Sequence, residues 1–160
     1  GDDEPRKNLH VLLEAYRLYR VGTAAPLGLV LAGSATAQAP GVVSLFGPSP
    51  QDLRELYREA AALVHPSLYE GFGLTPVEAM ALGTPVLAAR SPGIVEICAD
   101  AVRYADARHP ESFAQGMAAL AGDATLRAEL SRRGRRRAGH FSWAACARAH
   151  AEAYSLALGA

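Results

Sequence analysis

At 160 residues the chain suits one ordinary globular domain and leaves no room for two. Its 16 basic and 16 acidic residues balance to zero formal charge, which argues against the basic excess of a nucleic-acid-binding domain. Cys98 and Cys146 stand apart without C-x-x-C spacing, which argues against a disulfide framework and a thiolate zinc site and makes a reducing cytoplasm the expected setting.

No stretch reaches the roughly 18 apolar residues of a membrane span, and the first residues carry no signal-peptide pattern. The apolar periodicity predicts a helix over 6–20, with Leu9, Leu12, Leu13, Tyr16 and Tyr19 on one face. A continuous apolar run over 27–32, closed by Gly33, predicts a strand buried on both faces, as in a parallel sheet. A second strand is predicted over 42–46, ending at Gly47-Pro48. Only residues 34–41 separate the two, short for a parallel crossover, so an ordinary connection is not expected.

A helix over 51–62 follows, started by Ser49 or Pro50, then a very short strand at Leu63-Val64 running into His65-Pro66-Ser67. After a loop over 69–74 come a helix over 76–82, stopped by Gly83, and a strand over 85–89. One or two helical turns over 94–99 and a small strand over 102–104 precede a helical tail, over 111–121, 125–137 and 143–158, the last capped by Ser142. Short buried strands alternating with helices predict an α/β layer architecture in a single domain.

The segment Tyr69-Glu70-Gly71-Phe72-Gly73-Leu74-Thr75-Pro76-Val77-Glu78 carries the most chemistry. It reads as a strand end, a glycine-bearing loop and a helix start, with Thr75 as N-cap, Pro76 at the first helical position and Glu78 closing a capping box. Gly71 and Gly73 would let the backbone approach a ligand and expose amides, and amides at a helix N-terminus form an anion site. The same residues also fit a plain turn in which Glu78 only caps its own helix. The five histidines, His10, His65, His109, His140 and His150, show no paired ligand spacing, so no metal is expected. His65, followed by proline, reads as a packing or site-bordering residue.

Beyond this, E-G-F-G-L-T-P-V-E-A-M-A-L-G-T-P-V resembles the signature of glycosyltransferase family 4, retaining enzymes of GT-B fold also described as glycosyl transferases group 1. Arg6-Lys7-Asn8-Leu9, the strand and turn at Leu29 to Gly33, V-S-L-F-G at Val43 to Gly47, His65-Pro66-Ser67, Ser91-Pro92-Gly93 and Phe141-Ser142-Trp143 are similar to further family elements, in order along nearly the whole chain. The resemblance implies a Rossmann-like parallel sheet flanked by helices, the C-terminal half of a GT-B fold, with residues 1–160 forming a nucleotide-sugar-binding domain. It implies that Lys7, with Arg6, neutralises the donor diphosphate. Glu70 then contacts the transferred sugar, Gly71, Phe72, Gly73, Leu74 and Thr75 line the donor, and Glu78 accepts from the ribose hydroxyls. Gly33 and Gly47 border the base. The implied donor is a GDP- or UDP-sugar, with GDP-mannose or a UDP-hexose expected, and no metal cofactor.

Three departures from the family pattern stand out. On that pattern the N-terminal acceptor domain is expected to be missing from these residues, the family's first strand would lie before Gly1 without its frequent arginine, and residues 34–41 leave no space for a helix. A donor-binding domain that transfers sugar poorly alone is therefore expected, with a non-catalytic module acting through protein contacts as the alternative. Surface left uncovered by the missing half predicts self-association. The run Arg132-Arg133-Gly134-Arg135-Arg136-Arg137 reads as a solvated helix end or as a contact for an anionic membrane surface. A dinucleotide-binding oxidoreductase is disfavoured, because no G-x-G-x-x-G follows a strand.

Overall fold

The computed structural model describes residues 4–159. A 3-10 turn, Pro5–Lys7, leads into α1, Leu9–Val21. There follow β1 Leu29–Gly33, β2 Val42–Phe46, α2 Pro50–Glu59, β3 Leu63–His65, α3 Leu74–Leu82, β4 Val86–Ala89, α4 Pro92–Cys98 and β5 Arg103–Ala105. The tail is α5 Pro110–Gly122, α6 Ala124–Ala138 and α7 Trp143–Leu158. The α/β architecture of parallel strands and flanking helices is as expected.

Local chemistry accounts for several helix ends. Ser49 and Asp52 form a reciprocal capping box at α2: Ser49 Oγ accepts from the Asp52 amide (3.2 Å) and Asp52 Oδ2 from the Ser49 amide (2.8 Å). Asp123 caps α6 and Ser142 caps α7 through the same kind of bond, at 2.9 and 3.1 Å. Gly83, at φ 85°, stops α3 in the left-handed region that favours glycine.

The helix predicted over 6–20 is broken at its start. Asn8 sits at φ 58°, ψ 38°, so the preceding residues make a separate 3-10 turn and α1 begins at Leu9. The cause is tertiary. The buried Asn8 side chain donates to the Pro66 carbonyl (3.1 Å) and the Ala107 carbonyl (2.7 Å), and asparagine tolerates the left-handed backbone better than most residues. This kink is what turns Arg6 and Lys7 toward the end of β3.

The strands fall into two parallel sheets, β1-β2 and β3-β4-β5, with no ladder joining them. In the second, β4 is central, paired with β3 (Leu63↔Val86) and β5 (Ala89↔Ala105). Every residue of β4 is fully buried, and its side chains alternate. Leu87 and Ala89 enter a core built with α1 and α5, around Tyr16, Phe113 and Leu120. Val86 and Ala88 enter a second core with α3 and α4, around Met80 and Ile94.

Strand β1, predicted to be buried on both faces, is not: only Leu31 is buried, and Val30 is 46% exposed. It pairs with β2 in parallel, Leu29↔Val42 to Gly33↔Phe46, although only residues 34–41 connect them. Side chains of α1 hold this compact crossover. The single Tyr16 hydroxyl proton is shared between the carbonyls of Gly41 (2.9 Å) and Leu27 (3.1 Å), and Tyr19 Oη accepts from the Leu27 amide (2.9 Å). Gly41 is at φ 78°, and a Cβ there would lie 2.5 Å from Tyr16 Oη, so the turn requires glycine. Between the two sheets runs a cleft of about 840 Å³, walled by α1, β1, α2 and β3.

The arginine-rich run ends α6, and three of its members meet neighbouring groups of the fold. Arg137 donates to the carbonyls of Ile97 (2.7 Å) and Glu96 (2.8 Å), Arg133 pairs with Glu129, and Arg135 lies over Gly83. Arg132, Arg135 and Arg136 are exposed. No residue of α7 is buried. No helix among the described residues is long and apolar enough to cross a membrane.

Candidate functional site

The site gathers where β3 ends, at the carboxyl edge of its parallel sheet. Such edges are where open α/β sheets place ligands. His65 closes the strand, Ser67 lies in the turn beyond it, and Glu70 starts the glycine loop leading to α3. From the opposite side the 3-10 turn delivers Lys7, whose Nζ lies 2.7 Å from Glu70 Oε1. Arg6 Nη1 stands 3.5 Å from Glu70 Oε2, so both cations of the turn face one carboxylate.

Burial alone would raise the Glu70 pKa, but hydrogen bonds from Lys7 and Ser67 outweigh it and hold the carboxyl below its usual range. His65 Nε2 is 3.4 Å from Glu70 Oε1. Burial drives the imidazole pKa down to about 4, against the pull of Glu70 and with the push of Lys7, so it is neutral at pH 7.

The capping box predicted at Thr75 and Glu78 does not form. Helix α3 starts earlier, at Leu74, and its N-cap is Gly73, at φ 90° and without a side-chain cap bond. Gly73 is required there twice over, by its backbone angle and because a Cβ would lie 2.7 Å from Ile94 Cδ1. Freed from capping, Glu78 faces the cleft and the Tyr57 hydroxyl. Burial, followed by the Glu78 charge and hydrogen bond, raises the Tyr57 pKa to about 12.

The cleft brings together Lys7, Gly33, Pro48, Thr75 and Glu78 with His65 and Ser67. Glu70 joins through its bond to Lys7. Gly47, at φ 50°, turns the chain at the end of β2 just before the lining Pro48. Phe72 points elsewhere: its ring meets Phe141 edge-on at 5.6 Å, between the glycine loop and the entry to α7. Gly71 has no Cβ neighbour within 4 Å, and Leu74 is half exposed. Ser67, Tyr57 and Asn8 were not singled out from sequence. The polar Ser67 at a strand end was the available signal, whereas Tyr57 lies inside the helix predicted over 51–62 and carried none of its own. Among the described residues no three histidine, cysteine or acidic side chains cluster as metal ligands would.

This combination, parallel sheets with helices on their faces and a glycine loop at the strand ends, defines a GT-B-type Rossmann-like domain. Solved structures of that fold superpose closely. The Anabaena protein HepE, in complex with UDP and glucose, matches with a TM-score of 0.82 at 21% identity, over 97% of this chain and 46% of that one. Sucrose-phosphate synthase from Thermosynechococcus elongatus matches with a TM-score of 0.80 at 24% identity, over 98% of this chain and 43% of that one. The family is settled by sequence: residues 1–137 match the Glycosyl transferases group 1 family, and the chain belongs to it. Among its relatives are the O-antigen chain mannosyltransferase B of Escherichia coli, 32% identical, and a D-inositol 3-phosphate glycosyltransferase of Segniliparus rotundus, 37% identical. The matches cover 98% and 99% of this chain but only 44% and 39% of those proteins, so the chain spans less than half their length.

Proposed function

We propose that residues 1–160 form the nucleotide-sugar-binding domain of a retaining hexosyltransferase of glycosyltransferase family 4. The observation that carries this reading is the Lys7–Glu70 pair beside a cleft lined by Glu78, Thr75 and Gly33. In this reading Lys7, with Arg6 beside it, neutralises the donor diphosphate as the sugar bond breaks, where charge develops. Glu70 accepts from hexose hydroxyls, and Glu78 accepts from the ribose, since one carboxylate can take two hydroxyl donors. Gly71, Phe72, Gly73, Leu74 and Thr75 contribute main chain to the donor, and Gly33 and Gly47 border the base. Cationic side chains carry the charge neutralisation, so no metal is required. The HepE structures with UDP and UDP-glucose support a UDP-hexose, and the mannosyltransferase relative supports GDP-mannose.

The acceptor belongs to an N-terminal domain outside this chain, and transfer by the isolated domain is inefficient. A metal-independent reaction in the cytoplasm, peripheral membrane contact through Arg132 and Arg136, and self-association through uncovered apolar surface complete the reading. A non-catalytic module is the second reading, and the separation of β1-β2 from β3-β4-β5 favours it. Titration calorimetry with UDP, GDP, UDP-glucose and GDP-mannose separates the two. Binding of one nucleotide series, weakened by Glu78→Ala and Lys7→Ala, is the expected result. No binding of any of the four sinks the donor-domain reading.

A further inference from the structure

Two buried side-chain polar atoms lack a hydrogen-bond partner among the described residues, Ser91 Oγ and His65 Nε2. Buried polar groups are nearly always paired, so each calls for a physical reason. His65 Nε2 differs from the serine in what it faces. It lies 3.4 Å from Glu70 Oε1, the oxygen that Lys7 Nζ already holds at 2.7 Å. The imidazole side chain is only 8% exposed, so solvent does not supply the missing partner.

Glu70 and Lys7 neutralise one another in the structure, and the proposed function requires each of them elsewhere. An anionic diphosphate would draw the Lys7 ammonium away, and Oε1 would lose its strongest donor. A partly buried carboxylate deprived of its cation is poorly solvated and free to turn. His65 stands within reach: closing 3.4 Å to the usual length of a charge-assisted N–H···O bond takes a shift of about 0.5 Å.

We propose that His65 is a positioning residue for Glu70: when a nucleoside diphosphate hexose takes Lys7, the His65 Nε2–H takes over the oxygen that Lys7 releases and keeps the carboxylate aimed at the hexose. The inference rests on the donor-binding reading above. Its chemistry needs a neutral imidazole protonated on Nε2, and burial keeps the ring neutral at pH 7. Ser67 supports the same carboxylate and Arg6 stands by its second oxygen, so the exchange concerns Oε1 alone. Just past His65, the Asn8 side chain donates to the Pro66 carbonyl (3.1 Å), which ties the end of the strand to the 3-10 turn.

The test compares UDP with UDP-glucose, and GDP with GDP-mannose, by titration calorimetry on the wild-type chain, His65→Phe and His65→Gln. With His65→Phe, the nucleoside diphosphate should bind within about twofold of wild type while its hexose conjugate loses roughly tenfold. His65→Gln should recover most of that loss, because its side-chain amide nitrogen reaches the place of Nε2. Equal weakening of both ligands by His65→Phe, or no change in either, overturns the proposal. Denaturation curves of both variants separate a folding defect from a loss of alignment. A second measurement does not depend on the hexose. Nitrogen-15 NMR of the ring should show the Nε2–H tautomer, and inorganic pyrophosphate should shift Nε2 toward a stronger hydrogen bond. An Nδ1–H tautomer, or a ring indifferent to pyrophosphate, overturns the idea. A wild-type chain that binds none of the nucleotides but passes the pyrophosphate test would sink the donor reading and leave the hand-over standing.

Discussion

Strands β2 and β4 have similar apolar sequences and opposite fates. Val86 to Ala89 are fully buried, whereas in β2 Val43 and Phe46 are 62% and 66% exposed. Both sheets are parallel, and in both the side chains alternate between faces. The difference is coverage. Helices α3 and α4 pack one face of β4, and α1 with α5 packs the other. Strands β1 and β2 send Leu29, Leu31 and Val42 onto the α1–α5 core and leave their other face open. An apolar run states what a strand could bury, and only its neighbours decide whether it does.

The contrast can be broken hardest at the centre of the covered sheet. Phe113→Ala or Leu87→Ala should cost about 3–5 kcal/mol in denaturant unfolding, by lost transfer energy and a residual cavity. Val43→Ser on the open face should stay within about 0.5 kcal/mol. Equal costs at the two sheets would mean that a further element covers β2 in solution.

Acid should also act on the β3 side. The His65 pKa is depressed to about 4 in the folded chain, against about 6.5 unfolded. Stability is therefore full above about pH 6.5 and falls as pH drops toward 4, because only the unfolded state takes the proton there. The loss amounts to about 3 kcal/mol in order of magnitude. Glu70, whose pKa is lowered, adds a further loss at the acid end of that window. Urea midpoints between pH 7.5 and 4.5 measure this, and His65→Gln should flatten the profile.

Gly73→Ala should destabilise by roughly 1–3 kcal/mol, since alanine must hold φ 90° with its Cβ against Ile94. It should also weaken nucleotide binding, which a thermal-shift titration with UDP or GDP reads directly. A modest effect, without a binding change, belongs to the other half. Ser49→Ala removes the α2 cap and should cost about 1 kcal/mol, with no change in ligand affinity. A larger fall there would show α2 to be more tightly coupled to the cleft than its exposed surface suggests.

Much of this was legible beforehand, for reasons that can be named. β2 was found with its observed bounds because a run of branched and aromatic residues ends at Gly47-Pro48. Helix α7 was found because Ser142 caps a periodic segment. The loop with Glu70, Gly73 and Glu78 was singled out by glycines between two carboxylates. What misled was local plausibility. Thr75-Pro76-Val77-Glu78 is a good capping box on paper, yet Gly73 and the packing of Ile94 set the start of α3. Residues 6–8 continue a helical pattern, yet two carbonyls of other segments hold Asn8 in the left-handed region.

The sequence by itself determined the alternation of strand and helix, the helix starts at Ser49 and Ser142 and the glycine stop at Gly83, because those depend on contacts within a few residues. It also carried enough of the family pattern to single out the glycine loop. Tertiary structure alone decided that Lys7, Glu70 and His65 share one carboxylate oxygen, that Glu78 faces the cleft, and that the sheet divides in two. Each of these depends on side chains separated by tens of residues, and their geometry follows from which surfaces find a partner.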